Sequence, residues 1–215
     1  KDARTVCFVA FNKSIATELQ ARVPAGCDAM TMHSMGLKAV TKALGRLEID
    51  AYSVQSIISE LLERDIRDLR KENPVLVKAT EDLVSLCKMN LVGLTNNSEV
   101  NGHETGLTDE ALSRLASHYE VDLNGSREEV FALVPRVLER CKEPRGKLNF
   151  DDMIWLPVVL NLPVFRYDLL LVDEAQDLNR CQQALARKAG KRLILCGDQK
   201  QAIYGFAGAD AESMP

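Results

Sequence analysis

The residues best suited to chemistry lie toward the C-terminal end. An apolar run, residues 167–172 (YDLLLV), ends in Asp173-Glu174-Ala175-Gln176-Asp177. Two adjacent carboxylates leaving a buried strand repel each other unless a cation or solvent compensates. A phosphate-bound Mg²⁺ meets that need, because it keeps several waters and takes one or two carboxylates. Asp173, with Glu174 beside it, is therefore a candidate to hold the ion, directly or through water. Glu174 is a candidate to orient and deprotonate a water that attacks a γ-phosphate. A second reading stays open on these residues alone: Asp173, Glu174 and Asp177 cap the start of the next helix, where acids are favoured.

A second apolar run, residues 192–196 (RLILC), leads into GDQKQAIYGFAGAD, residues 197–210. Gly197, Gly205 and Gly208 allow tight backbone paths near a ligand. Gln201 offers both a donor and an acceptor, so it could sense a phosphate or the attacking water. Tyr204 and Phe206 lie two apart, which in an extended segment puts both rings on one side, suited to stacking on unpaired bases. The alternative is that both rings pack into the core beneath the loop.

The elements that must position these groups follow from hydropathy patterning. Residues 5–10, 28–32, 167–172 and 192–196 read as buried strands, with 28–32 the weakest. All but that one are near-continuous rather than alternating, as in a parallel sheet covered on both faces. Asn12 is a good N-cap for a helix Lys13–Arg22, stopped by Pro24 and Gly26. A helix Arg180–Ala189 follows the carboxylates, with Gly190 placed as its stop. The middle shows helical periodicity and no convincing strand. It predicts helices at 53–71, Pro74–Asn90, 108–119 and 126–141, the last with Ser126 and Glu129 as a capping box, and one at 150–160 bent or ended near Pro157. A polar, glycine-bearing stretch, 94–106, reads as a loop. A helical insertion thus splits an α/β layer whose two pieces reunite in one sheet.

Composition bounds the rest. With 215 residues, 46% of them hydrophobic, the chain can bury one sizeable core and a smaller lobe. A net charge of −4 rules out a global basic field, leaving nucleic-acid contact to local patches. The cysteines form no C-x-x-C pair and only three histidines could join them, so no zinc site is expected. Cys7 and Cys196 sit in apolar runs, where a thiol behaves as a small hydrophobe. The expected compartment is reducing and intracellular: cytoplasm, or nucleus in a eukaryote. No apolar stretch approaches the ~20 residues that span a bilayer, and the N-terminus lacks the apolar stretch of a signal peptide.

Taken together, these segments resemble the UvrD/Rep-like branch of superfamily 1 helicases. LLLVDEAQDLN is similar to that family's Walker B motif, and LILCGDQKQAIYGFAGAD to the third motif that links nucleotide to single-stranded DNA. The segment from Ala10-Phe11-Asn12-Lys13-Ser14 through Arg22 resembles motif Ia, and Thr31-Met32-His33-Ser34-Met35-Gly36 resembles motif Ib. Asn149-Phe150-Asp151-Asp152-Met153 resembles the short FDD segment preceding Walker B. The resemblance implies an α/β fold: a RecA-like P-loop NTPase parallel sheet with an α-helical insertion subdomain. Residues 1–43 and 149–215 would form motor domain 1A, and 44–148 a 1B-like insertion. It implies Mg²⁺ and ATP as cofactors, with Asp173 and Glu174 at the metal, Glu174 as catalytic base, and Asp173 and Gln201 on the nucleotide. It implies single-stranded DNA as partner, touched by Phe11, Asn12, Thr31, His33, Tyr204 and Phe206, with Phe206 stacking on a base.

The sequence departs from the family pattern in three places. The glycine-rich phosphate loop is absent, and chain order in the family places it upstream of Lys1. Ala207 stands where many relatives carry an arginine, so transition-state charge must be met from elsewhere, such as a second motor domain. Phe11 directly precedes Asn12, where many relatives have a residue between. A rival reading is a non-catalytic DNA-binding or scaffolding protein on a degenerate helicase fold; the intact Asp173, Glu174 and Gln201 argue against it. Another is a different P-loop enzyme, such as a nucleotide kinase, where Tyr204 and Phe206 have no obvious use.

Two outcomes are expected. The isolated 215 residues neither hydrolyse ATP efficiently nor unwind DNA; DNA-stimulated phosphate release by this fragment would overturn that. In the complete protein, Phe206→Ala weakens single-strand binding by about 1–3 kcal/mol, measured by anisotropy of a labelled oligonucleotide; unchanged affinity would assign the ring to the core.

Overall fold

The computed structural model describes residues 5–93 and 106–198. The chain divides into two compact units, one containing Lys1–Arg46 and Met153–Pro215, the other the continuous stretch Leu47–Asp152. The first unit opens with β1 (Val6–Ala10), α1 (Lys13–Arg22), β2 (Cys27–Thr31) and α2 (Met32–Leu44). The second unit runs through β3 (Glu48–Ile49), α3 (Ser53–Leu62), α4 (Ile66–Glu72), α5 (Pro74–Asn90), α6 (Asp109–His118), α7 (Arg127–Cys141) and β4 (Lys147–Leu148). Helix α8 (Phe150–Val159) carries residues of both units. The first unit then resumes with β5 (Leu169–Val172), a 3-10 turn (Ala175–Asp177), α9 (Arg180–Ala189) and β6 (Leu193–Leu195).

The main sheet has strand order β2-β1-β5-β6, and every pairing is parallel. The α/β class and parallel sheet expected from the patterning are present, including the weakest strand. Its core contains Cys7, Val9, Ala10, Met30, Leu170 and Val172, all buried. Helix α1 packs on β1 and β2, and α2 packs on β2 and α9. Full burial of Leu170 and Leu185, both 0% exposed, is worth about 1.5–3 kcal/mol each. Cys7 is buried as expected, but Cys196 is exposed, because it lies just past β6 rather than inside it.

Two close approaches tighten this unit. Helix α8 runs through Pro157 and ends two residues later at Val159, close to the proline as expected. Proline has no N–H to offer the carbonyl four residues back, which is that of Met153. A Cβ on Gly36 would lie 2.0 Å from that carbonyl oxygen, so only glycine lets α2 approach α8 here. Gly190 ends α9, but at φ −107 its backbone is ordinary. Space explains it instead: a Cβ there would meet Leu193 Cδ2 at 2.6 Å and Leu170 Cβ at 3.0 Å.

The helical unit corrects three expectations. The stretch 53–71 is two helices, broken where Glu63 turns left-handed at φ 51 and Asp65 caps α4 by accepting from Arg67 N–H at 2.7 Å. The apolar stripe continues across the break, so periodicity alone does not reveal it. Ser126 makes no cap bond to α7, because its hydroxyl is paired with the Asn73 carboxamide at 3.0 and 3.1 Å. The two-residue strands β3 and β4 pair in parallel and tie entry to exit, aided by Lys147 on Asp50 at 3.0 Å. Runs that short carry no strand pattern.

At the interior of this unit lies a buried ion pair. Lys88 Nζ meets Asp152 Oδ1 at 2.7 Å, with side chains 1% and 5% exposed. The other Asp152 oxygen accepts from Asn149 N–H, and Asn149 Oδ1 accepts from Asp152 N–H, both at 2.9 Å. Ser85 Oγ donates to Asp151 Oδ2 at 2.7 Å. The two adjacent aspartates of the FDD segment thus act as structural anchors. Burial alone would depress the Lys88 pKa, but the nearby Asp152, Cys141 and Asp151 outweigh it and raise it above the ordinary lysine value. Removing one partner of such a pair costs about 3–5 kcal/mol. Asp152→Asn is expected to lower the urea-unfolding free energy by that amount. Because the folded Lys88 pKa is raised, the pair's contribution is full below the ordinary lysine range and is lost only as pH climbs through the folded value. An Asp152→Asn variant as stable as the parent at neutral pH would rule out this role.

Candidate functional site

Parallel pairing brings the carboxyl ends of the strands to one edge, where open α/β sheets bind ligands. The register aligns Ala10 with Thr31, Val9 with Val172, and Val172 with Leu195. The edge therefore carries Thr31 at the end of β2, Phe11 and Asn12 after β1, Asp173 and Glu174 after β5, and Cys196 to Asp198 after β6. Neighbouring strands lie ~4.8 Å apart, so the carboxylates stand one strand from Phe11 and two from Thr31.

Each group is held locally. Asn12 Oδ1 accepts from Ile15 N–H at 2.9 Å and caps α1. Phe11, just before it, is 49% exposed. Thr31 Oγ1 caps α2 by accepting from Ser34 N–H at 3.1 Å, and lies 3.0 Å from Ser34 Oγ. His33 is half-buried in the first turn of α2. Beside Ser34 opens a shallow groove of about 490 Å³, lined also by Leu37, Lys38, Thr41 and Lys42. Neither lysine stood out in the sequence; the signal available was their shared face of α2 with Ser34, four and eight residues on.

Around the carboxylates the backbone is tightly tied. Asp173 N–H donates to Val9 O at 3.0 Å, Cys196 N–H to Val172 O at 2.8 Å, and Ala175 N–H to Cys196 O at 2.9 Å. Between them Glu174 adopts φ 50, ψ 44, a left-handed conformation that costs a non-glycine residue roughly 1–2 kcal/mol. Asp173 and Glu174 are both exposed. The Glu174 carboxylate makes no cap bond to the turn that follows, and α9 is capped by Asn179 and Gln182 in a reciprocal box. Helix capping therefore does not account for Glu174. Its Oε2 instead accepts from Gln176 Nε2 at 2.6 Å. Gln176 is buried, and sequence reading gave it no role; its place two residues past the catalytic candidate was the available signal.

Beneath the edge, Tyr167 O–H donates to Asp28 Oδ2 at 2.6 Å, and burial together with that bond raises the tyrosine's pKa. Burial, with Asp28 nearby, pushes the Cys7 thiol up to about 12. Both side chains are buried. Among the described residues no cluster of three or more histidine, cysteine, aspartate or glutamate side chains could hold a metal by itself. The oxygen donors Asp173 and Glu174 fit a Mg²⁺ that brings phosphate and water as its other ligands. Gln201, Tyr204 and Phe206 lie outside the described residues. No helix among the described residues is long and apolar enough to cross a membrane.

The family model "UvrD/REP helicase N-terminal domain" matches residues 1–215. The ATP-dependent DNA helicase PcrA of Bacillus subtilis (strain 168) is 26% identical over 230 residues, covering 95% of this chain and 28% of that protein. The F-box DNA helicase protein 1 of Schizosaccharomyces pombe is 27% identical, covering 96% of this chain and 24% of that protein. The PcrA of Staphylococcus epidermidis (strain ATCC 12228 / FDA PCI 1200) is 23% identical over 97% of this chain. The chain thus spans under a third of the length of these curated relatives.

Proposed function

The chain belongs to the UvrD/REP helicase N-terminal domain family, and on that premise we propose that it is part of an ATP-dependent DNA helicase or translocase that couples ATP hydrolysis to movement along single-stranded DNA. In this reading the sheet unit is motor domain 1A and the helical unit its 1B-like insertion. One observation carries the proposal: a single sheet edge bears both the carboxylate pair and, one and two strands away, the candidate DNA contacts Phe11, Asn12, Thr31 and His33.

When bound, Mg–ATP supplies the phosphoryl group and neutralises its developing charge. Asp173 holds the ion directly or through water. Glu174 orients the attacking water and takes its proton. Gln201 contacts the γ-phosphate side. Phe11, Asn12, Thr31 and His33 line the strand's path. Tyr204 and Phe206 stack on bases.

Glu174→Gln keeps the shape and removes the base. In the complete protein it is expected to retain nucleotide affinity, read by titration with a fluorescent analogue, and to lose about 10²–10⁴-fold in phosphate release. Undiminished turnover would remove Glu174 from the chemistry.

A further inference from the structure

The side chain of Gln176 does more than fill space. It is 4% exposed, and its carboxamide reaches two chain segments at once. Nε2 donates to Glu174 Oε2 at 2.6 Å, while Oε1 accepts from Asp198 N–H at 3.2 Å. A carboxylate only accepts and a peptide N–H only donates. Reversing the amide would set oxygen against carboxylate and NH₂ against N–H, so the surroundings dictate one orientation. Gly197 leaves room for it: a Cβ there would lie 2.0 Å from Gln176 Oε1 and 3.0 Å from Ala175 N. The left-handed backbone of Glu174 and the bond from Ala175 N–H to Cys196 O hold the two segments against each other.

We propose that Gln176 is the positioning residue for Glu174: it fixes the carboxylate through Oε2 and ties it to the Asp198 peptide after β6. This rests on the reading of Glu174 as general base. With Oε2 held, Oε1 is the oxygen presented to the attacking water. The small side chain at Gly197 is part of the same device, because any larger residue displaces the carboxamide from Asp198. Gln176 does not touch the reacting atoms, so its loss acts on the chemical step and leaves nucleotide binding alone. Misplacing a catalytic group by about 1 Å can cost about 10²-fold.

The experiment uses the complete protein and steady-state ATP hydrolysis with saturating single-stranded oligonucleotide. Q176A and Q176E are each expected to lower kcat by about 10–10²-fold with little change in KM for ATP, the pattern of a lost transition-state interaction where KM reports binding. Q176E is the decisive variant. It keeps the shape and the acceptor for Asp198 N–H, but replaces the donor to Glu174 with a like charge. If Gln176 merely packs, Q176E retains wild-type kcat, and that result overturns the proposal. G197A is expected to lower kcat as well, and the double variant G197A/Q176A to fall no further than Q176A, since both break one linkage; additive losses would count against a shared device. Should Q176A fail to fold, judged by oligonucleotide affinity and thermal melting, Q176E and G197A carry the test. E174Q is run in parallel. If E174Q keeps full turnover, the general-base reading fails and this inference falls with it. If E174Q loses turnover while Q176E and Q176A do not, positioning by Gln176 alone is refuted.

Discussion

Everything at the candidate site depends on β5 being held in parallel register between β1 and β6. The bonds from Asp173 N–H to Val9 O and from Cys196 N–H to Val172 O fix where the strand ends relative to both neighbours. Leu170 and Val172, almost wholly buried, set which face is which. A slip of one residue would turn those side chains outward and move the carboxylates off the edge. Hydrophobic burial thereby fixes the address of two exposed, charged groups that contribute little to stability themselves.

Two departures from regular structure meet at the candidate site. Glu174 is left-handed at the strand end, and Gly197 has no room for a Cβ against Gln176. Backbone strain of this kind persists only where the surroundings over-determine it, and functional sites are where it collects. Gly36 and Pro157 show the same economy in a structural setting: the proline leaves the Met153 carbonyl without its usual helical donor, and the glycine admits that carbonyl at close range.

The helical unit is organised differently, around charge. Lys88 and Asp152 form a buried pair at 2.7 Å, and Asp152 also closes the start of α8 through Asn149. An apolar pair of similar volume could be as stable. The ion pair joins α5 to the start of α8. The FDD segment, noticed in the sequence through a family resemblance, has here a structural task for Asp151 and Asp152.

Several features were legible in the sequence. Continuous apolar runs identified β1, β5 and β6, although among the described residues the sheet is not covered on both faces: alternate residues of β5 are only half-buried and Ile194 of β6 is exposed. Asn12 and Pro74 stand at helix starts because capping and proline chemistry act within a few residues, whereas Gly190 ends α9 for want of space beside Leu193 and Leu170. The adjacent carboxylates of Asp173 and Glu174 announced themselves by charge where apolar character stops. Local signals missed what long-range partners decide. Ser126 has the form of a cap, yet Asn73, fifty-three positions earlier, takes its hydroxyl. The break at Glu63 lies inside an unbroken apolar stripe. Gln176 had no role legible in the sequence, because Asp198 is brought beside it only by the pairing of β5 with β6. Sequence determined which elements exist and which residues could do chemistry, because propensity and burial are written in neighbouring residues. The tertiary structure alone decided which of those residues meet, because a hydrogen bond requires its partners within about 3 Å, and chain order sets no such distance between strands.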